Sequence, residues 1–344
     1  VIKYLVEYFR GNAKLLAEDG YFTDFISNGV STELCFVAFC AFTLIIIFAG
    51  VQNGIERVSK IMMPILIVLS VIIAVYSVTR PGALAGVKYF LVPNVKNFSW
   101  MTVVSAMGRM FYSLSIAMGI LITFGSYMKK DTAIEDSTRN VEIFDTGIAI
   151  MAGLMIIPAV FAFSGGDPNT LQAGPSLMFI TIPKVFQNMG FGTVIGIVFF
   201  LLVLFAAVTS SIALTESAVS TFEDELGWGR KKATVLVGVI MLVLGSLSSL
   251  GYGPLAGIKI IGMQFLDLFD FLTNSVMMPI AALLTSLLVS RVVGIDKIEE
   301  EIIHGESAFR RKKVFVVMIK YLCPVFAIII LLSSVANALG WIKM

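Results

Sequence analysis

Residues 100–127 read WMTVVSAMGRMFYSLSIAMGILITFGSY. Both ends are apolar, and the run exceeds the roughly 20 residues that cross a bilayer as a helix. Its middle breaks the pattern, because Gly108, Arg109, Ser113, Ser115 and Gly119 crowd into residues 108–119. Glycine and serine at this density weaken a helix. Unwound backbone at membrane depth is tolerated where it lines a cavity or is buried in protein. Small residues also serve close helix packing, so the glycines alone leave both readings open. Arg109 tips the balance: a mid-span arginine costs about 2.5–3.5 kcal/mol on insertion scales and marks a functional residue with a partner.

Outward from this stretch lie further apolar runs, and the sequence predicts eight full spans: 34–51, 61–79, 100–127, 143–163, 190–216, 233–250, 266–290 and 314–340. They read as helices, since a segment in lipid must satisfy its own backbone, and no β-barrel alternation is present. Composition agrees: 58% of the 344 residues are hydrophobic and 14% charged, against about 25% charged in soluble domains. The net charge of +2 offers no basic surface for nucleic acid. Cys35, Cys40 and Cys323 form neither a zinc spacing nor a disulfide framework and read as packing residues.

An apolar stub, Val1 to Phe9, precedes the spans with no initiator methionine or charged flank, and runs straight into the polar stretch Arg10 to Glu33. It reads as the end of a ninth helix whose beginning is absent, with a short amphipathic helix as the alternative. Lysine and arginine orient the bundle. The stretches 52–60, 128–141, 217–232 and 291–313 hold fourteen of them, and the alternate stretches 10–33, 80–98, 164–189 and 251–265 with the tail hold eight. The first set is therefore expected on the cytoplasmic side and the C-terminus outside. The stretch 164–189 mixes Gly and Pro turn signals with a short apolar run, which predicts a folded extracellular cap or hairpin.

Three further places carry candidate chemistry. Asp145, in VEIFDTGIAIMAG (141–153), is the candidate partner of Arg109, either as a structural salt bridge or as a carboxylate that helps hold a cation. In FAAVTSSIAL (205–214), Thr209 and Ser210 stand three and four residues after Ala206 on one helical face. The Ala206 carbonyl and two hydroxyls could converge as hard oxygen ligands, although such hydroxyls also back-bond to the preceding turn. Asp267 and Asp270 open FLDLFDFLTNSVMMP (265–279), and Asp267 reads as solvated. Glu216, Glu223, Asp224 and Glu225 read as solvated charges near the cytoplasmic end of their span.

The ordered set NGIERVSKIMMPIL (53–66), MGRMFYSLSIAMG (107–119), SYMKKD (126–131), EIFDTGIAIMAGLMIIPAVFAF (142–163), GPSLMFITIP (174–183), FAAVTSSIAL, FEDELGWGRKKA (222–233) and LDLFDFLTN (266–274) resembles the neurotransmitter:sodium symporter family over nearly the whole chain. The resemblance implies an all-α membrane protein, a LeuT-type inverted-repeat helical bundle in the eleven-span bacterial form. The first two spans and most of the third would be missing, so the chain alone is expected not to transport. Residues 1–79 would be the remainder of the first repeat, 100–290 the second, and 314–340 the extra span, all in one transporter domain.

Residue by residue, the resemblance puts Ser113 and Asp145 at the first sodium ion, with Asp145 where the family usually has asparagine. It puts the Ala206 carbonyl, Thr209 and Ser210 at the second. Tyr112, Ser115, Met118, Ser211 and Leu214 fall at or beside substrate-lining positions. Asp270 matches the acidic half of an extracellular gate. Gly54 and Pro64 match a Gly-x9-Pro pattern associated with unwinding. Arg109 replaces a glutamine that contacts chloride in chloride-dependent members. Asp145 would supply a fixed negative charge, so chloride is expected not to be required, unless Arg109 neutralises it.

The expected function is sodium-coupled import of an amino acid by alternating access, in a multi-pass bacterial inner-membrane protein. Tyr112, Met118 and Leu214 point to a hydrophobic or aromatic substrate. The drive is adequate: each sodium charge entering gains about 2.3 kcal/mol per 100 mV, and each tenfold gradient about 1.4 kcal/mol. The partners are then sodium, the amino acid and the lipid bilayer, with a homodimer left open. An intramembrane hydrolase is disfavoured, since the single His304 lies in a charged loop and neither GxGD nor HExxH occurs. A channel lacks a carbonyl filter loop. A non-transporting relic or membrane scaffold stays open as the alternative.

Overall fold

The computed structural model describes residues 1–167, 174–306 and 308–338. Among them, seven helices are long and apolar enough to cross a membrane: Gly29–Phe48, Val51–Val78, Ile134–Ser164, Gly192–Leu226, Arg230–Leu250, Phe265–Val293 and Lys312–Ala338. These answer seven of the eight expected spans, and the end of the last, residues 339–340, lies outside the described residues. The eighth span, 100–127, is two helices, Trp100–Ser113 and Ile120–Ser126, with a non-helical link between them.

Two helices outrun their expected spans. Ile134–Ser164 starts nine residues before 143 and Gly192–Leu226 ends ten after 216. The added turns, IEDSTRNVE and SAVSTFEDEL, are rich in Glu and other residues that hydropathy counts as loop. Glutamate is nonetheless a good helix former. Hydropathy marks where lipid contact ends, and the helix continues past it.

Special backbone has identifiable causes. Gly50, at φ 87°, turns the chain into a π-helical stretch, Val51–Glu56, before the regular helix Arg57–Val78 containing Pro64. Gly54 there packs so closely that an added Cβ would lie 2.2 Å from the Ile46 carbonyl oxygen. Within the stretch 164–189 the described residues hold one short helix, with a π turn at Leu177–Thr181 leading into Ile182–Gln187. Residues 168–173 of that stretch lie outside the described residues.

The chain forms two compact units. The first comprises Val1–Asn94, Gly147–Thr215 and Val219–Lys259, and the second Val95–Thr146, Glu216–Ala218 and Ile260–Met344. The stub Ile2–Phe9 is a helix in the first unit. Its Tyr4 and Tyr8 are buried against Phe200, and the Tyr4 hydroxyl donates to the Phe179 carbonyl at 2.8 Å. Glu7 is buried and accepts from Lys3, Arg10 and Asn12. On the surface of the same unit, the hydrogen bond from Lys184 holds the exposed Asp19 carboxyl below its ordinary pKa.

In the second unit, Phe111, Met278, Ala282, Ala327 and Ile330 form a core that packs Trp100–Ser113 on the Phe265–Val293 and Lys312–Ala338 helices. The charged loop folds as the helix Ile295–Gly305. Beyond it, Glu306 accepts from the first backbone N–H groups of Ile134–Ser164 and Arg311 pairs with Glu142. The cluster of basic residues at 310–313 thus has ion-pair partners among the described residues, Glu142 for Arg311 and Glu299 for Lys312.

Candidate functional site

In the second unit the interruption of the 100–127 stretch is built from alternate left-handed residues. Ser115, Ala117 and Gly119 have φ of 53°, 62° and 80°. Ser115 and Ala117 each hold this conformation at a cost of about 1–3 kcal/mol, and such strain concentrates at functional sites. Leu114, Ser115 and Ile116 still donate back into the helix, to Met110, Tyr112 and Phe111. The carbonyls of Ser113, Leu114, Ile116 and Ala117 accept no protein hydrogen bond among the described residues. They form a local set of hard oxygen atoms not used by the backbone.

Ser113, the last residue of its helix, donates its hydroxyl to Asp145 Oδ1 at 2.6 Å. A charge-assisted bond of this kind is roughly twice as strong as a neutral one. Because the hydroxyl gives its proton to the carboxylate, its oxygen lone pairs remain available to a cation. The expected pairing of Arg109 with Asp145 is not formed. Among the described residues Arg109 makes no ion pair, and Asp145 accepts from the Ser113 hydroxyl. Arg109 instead faces a cavity of about 320 Å³ between its own helix and the Phe265–Val293 and Lys312–Ala338 helices. Tyr112 is exposed, and Ser115 and Met118 are half-buried.

The link is held from below by residues that sequence reading placed in solvent. Glu216 is fully buried and accepts from the Tyr127 hydroxyl at 2.7 Å, which corrects its reading as a solvated charge. The reason lies in helical phase: Glu216 follows Thr209 by seven residues, on the same inward face. That spacing was the available signal. Tyr127→Phe is expected to cost about 1–3 kcal/mol by leaving a buried carboxylate short of a donor, and thermal unfolding in detergent measures it.

Next to Glu216, the Ser217 hydroxyl meets Thr123 at 3.4 Å and the Met118 carbonyl at 3.5 Å. A Cβ on Gly119 would lie 2.5 Å from the Ser217 oxygen. Gly119→Ala therefore meets both a positive φ and a clash. It is expected to destabilise the protein by about 1–3 kcal/mol, read as a fall in unfolding temperature.

In the first unit, Thr209 donates to the carbonyls of Phe205 and Ala206, both at 3.0 Å. The hydroxyl back-bonds to the preceding turn, the alternative that the spacing had left open. Ser210 is exposed and has no hydrogen-bond partner among the described residues. Ser211 Oγ lies 3.1 Å from Thr43 Oγ1, and Thr43 is fully buried. Thr43 had escaped notice, although a lone hydroxyl inside CAFTLIIIF is a visible signal. Leu214 is exposed. In the second unit Asp270 is exposed and accepts from Asn274 Nδ2 at 2.6 Å.

The chain as a whole has counterparts among known proteins. The profile of the sodium:neurotransmitter symporter family matches residues 3–341. The uncharacterized sodium-dependent transporter YhdH of Bacillus subtilis is 32% identical over 97% of this chain and 74% of its own length. An uncharacterized sodium-dependent transporter of Methanocaldococcus jannaschii is 30% identical over 75% of this chain, which spans about half (52%) of that relative. Among solved structures, MhsT in complex with L-phenylalanine matches with a TM-score of 0.83 and 33% identity, over 97% of this chain and 75% of that one. With the family profile running almost end to end over seven membrane-length helices and an eighth interrupted stretch, this chain belongs to the sodium:neurotransmitter symporter family of integral membrane transporters and is not an enzyme.

Proposed function

We propose that this protein couples sodium entry to the import of a hydrophobic or aromatic amino acid. The observation that carries the reading is the Ser113–Asp145 bond at the end of a broken helix whose next carbonyls are unused. Sodium prefers such oxygen ligands, and unwound backbone carbonyls coordinate it in transporters with discontinuous helices. Ser113 and Asp145 hold the first ion. The Ala206 carbonyl, Thr209 and Ser210 hold the second. Asp145 brings its own negative charge, so chloride is not needed.

The apolar side chains of Tyr112 and Met118 in the second unit, and of Leu214 in the first, suit an apolar substrate. MhsT, with bound L-phenylalanine, supports that choice. Ser115 and Ser211 supply polar contacts, and Asp270 serves an outer gate. The protein sits in the cell membrane with its C-terminus outside, following the bias of lysine and arginine. Residues 1–79 are the remainder of the first inverted repeat, 100–290 are the second, and 314–340 is an added span; alternating access comes from rocking of helices around the bound substrate and ions.

The test is uptake of radiolabelled L-phenylalanine, L-leucine and L-tryptophan by the intact protein in proteoliposomes. Uptake that is saturable and requires an inward sodium gradient is expected. Sodium-independent uptake, or transport of a small charged amino acid with none of these three, overturns the proposal. Absence of any sodium-dependent binding would favour a non-transporting scaffold.

A further inference from the structure

We infer that the cavity beside Arg109 is a second ligand site, for a small organic carboxylate with an apolar body, separate from the Ser113–Asp145 group. The cavity has a volume of about 320 Å³ and lies wholly within the second unit. Among the described residues its wall holds one full positive charge, the Arg109 guanidinium, and no carboxylate. The hydroxyls of Ser105, Ser275 and Ser334 also face it, and among the described residues these hydroxyls and Arg109 have no hydrogen-bond partner in the protein. Phe111 and Met278 supply an apolar floor.

An arginine inside a membrane helix is costly unless something neutralises it. Among the described residues, those that line the cavity with Arg109 carry no opposite charge. On its own helix it is the sole charged residue, and the Lys312–Ala338 helix contributes only serine, asparagine and isoleucine to the wall. On the Phe265–Val293 helix, Asp270 is engaged by the Asn274 amide at 2.6 Å and is not part of the wall. A bound anion supplies the missing charge.

Size selects the kind of anion. A water molecule takes up about 30 Å³ of liquid volume, so the cavity has room for about ten and is far larger than a halide. It falls at the small end of the range for small-molecule pockets, about 300–1,000 Å³, with an apolar floor and a few convergent polar groups. Guanidinium pairs with carboxylate through two parallel bonds, which fixes the charged end, and the serine hydroxyls extend that end. The apolar body then rests on Phe111 and Met278. Either an amino acid or a carboxylic acid without an amine fits this chemistry.

The experiment uses purified intact protein and 3-phenylpropionate as the probe, titrated calorimetrically in saturating sodium and L-phenylalanine, with 3-phenylpropanol as the neutral counterpart. Saturable binding of 3-phenylpropionate is expected, with the alcohol at least about tenfold weaker. Arg109→Gln is expected to weaken the acid by about tenfold or more, and Ser334→Leu, which fills the cavity, to weaken acid and alcohol alike. Gel filtration and thermal unfolding establish that both variants are folded. Replacing 3-phenylpropionate by excess L-phenylalanine in the first step distinguishes the two sources: a second molecule of L-phenylalanine per protein, lost in Arg109→Gln, also supports the site. No binding of either acid, binding indifferent to both variants, or displacement by millimolar chloride in place of the acid overturns it. Sodium-dependent binding is measured separately, so failure here and failure of the proposed transport function remain distinct results.

Discussion

Asp145→Asn in the intact protein is expected to raise the sodium concentration for half-maximal L-phenylalanine binding by about 10–100-fold, and to make that binding respond to chloride. The amide keeps an oxygen for the Ser113 hydroxyl, so the 2.6 Å contact can persist while the charge is lost. Hydrogen bonds to charged groups are worth about 1.5–3 kcal/mol. At about 1.4 kcal/mol per tenfold, this gives the range stated. Asp145→Ala also removes the acceptor and is expected to fall at the upper end. Measuring sodium dependence in chloride and in a large impermeant anion separates charge from geometry. The unaltered protein should give the same curve in both anions. If it needs chloride, Asp145 does not stand in for that ion. If Asp145→Asn leaves the sodium dependence unchanged, the carboxylate is not a sodium ligand at all.

Gly54→Ala is expected to be the most damaging single-methyl addition near the π-helical stretch. The new Cβ would lie 2.2 Å from the Ile46 carbonyl oxygen and 3.1 Å from the Ala49 Cβ. The first of these is backbone of a neighbouring turn and cannot rotate away. Overpacking of this sort costs about 1–3 kcal/mol, and more where the backbone must move. The expected result is a loss of about 3 kcal/mol or more, seen as poor recovery of monodisperse protein and a lowered unfolding temperature. Pro64 lies in the same helix but already lacks the N–H that a helix would use. Pro64→Ala should therefore be mild in stability, and its effect should appear in transport rate. A stable Gly54→Ala variant would show that the close approach to Ile46 is not kept in the working protein.

The sequence made the helices legible because lipid imposes a long apolar run on each of them. It also announced the break in 100–127, since a helix does not hold glycine, serine and arginine at that density without cause. Asp145 stood out as a lone carboxylate near the start of its span, but its pairing with Ser113, 32 residues away in the chain, was suggested only by the family resemblance. Their hydrogen bond follows from where the helix ends. Arg109 was misread because opposite charges on neighbouring spans invite pairing, and only the helix direction shows which neighbour each one faces. Glu216 was misread for a related reason. Its neighbours Glu223, Asp224 and Glu225 made a charged tail look continuous, whereas Glu216 lies two turns earlier in the helix, where it is buried and accepts from Tyr127. The alternating left-handed residues could not be read in advance, because Ser115 and Ala117 are not residues that choose that conformation by themselves.

The Gly192–Leu226 helix has 35 residues, or roughly 52 Å at the α-helical rise, against a hydrocarbon layer of about 30 Å. It is a rod far longer than the slab it crosses, and its oxygen-bearing turn begins at Ala206, roughly 21 Å from its first residue. A rod of this length answers a thicker or thinner bilayer by changing its tilt. Lipids of different chain length will therefore reposition Ala206, Thr209 and Ser210 together, and the acyl composition of the host membrane becomes a setting on the depth of that turn and on the second sodium site proposed for it.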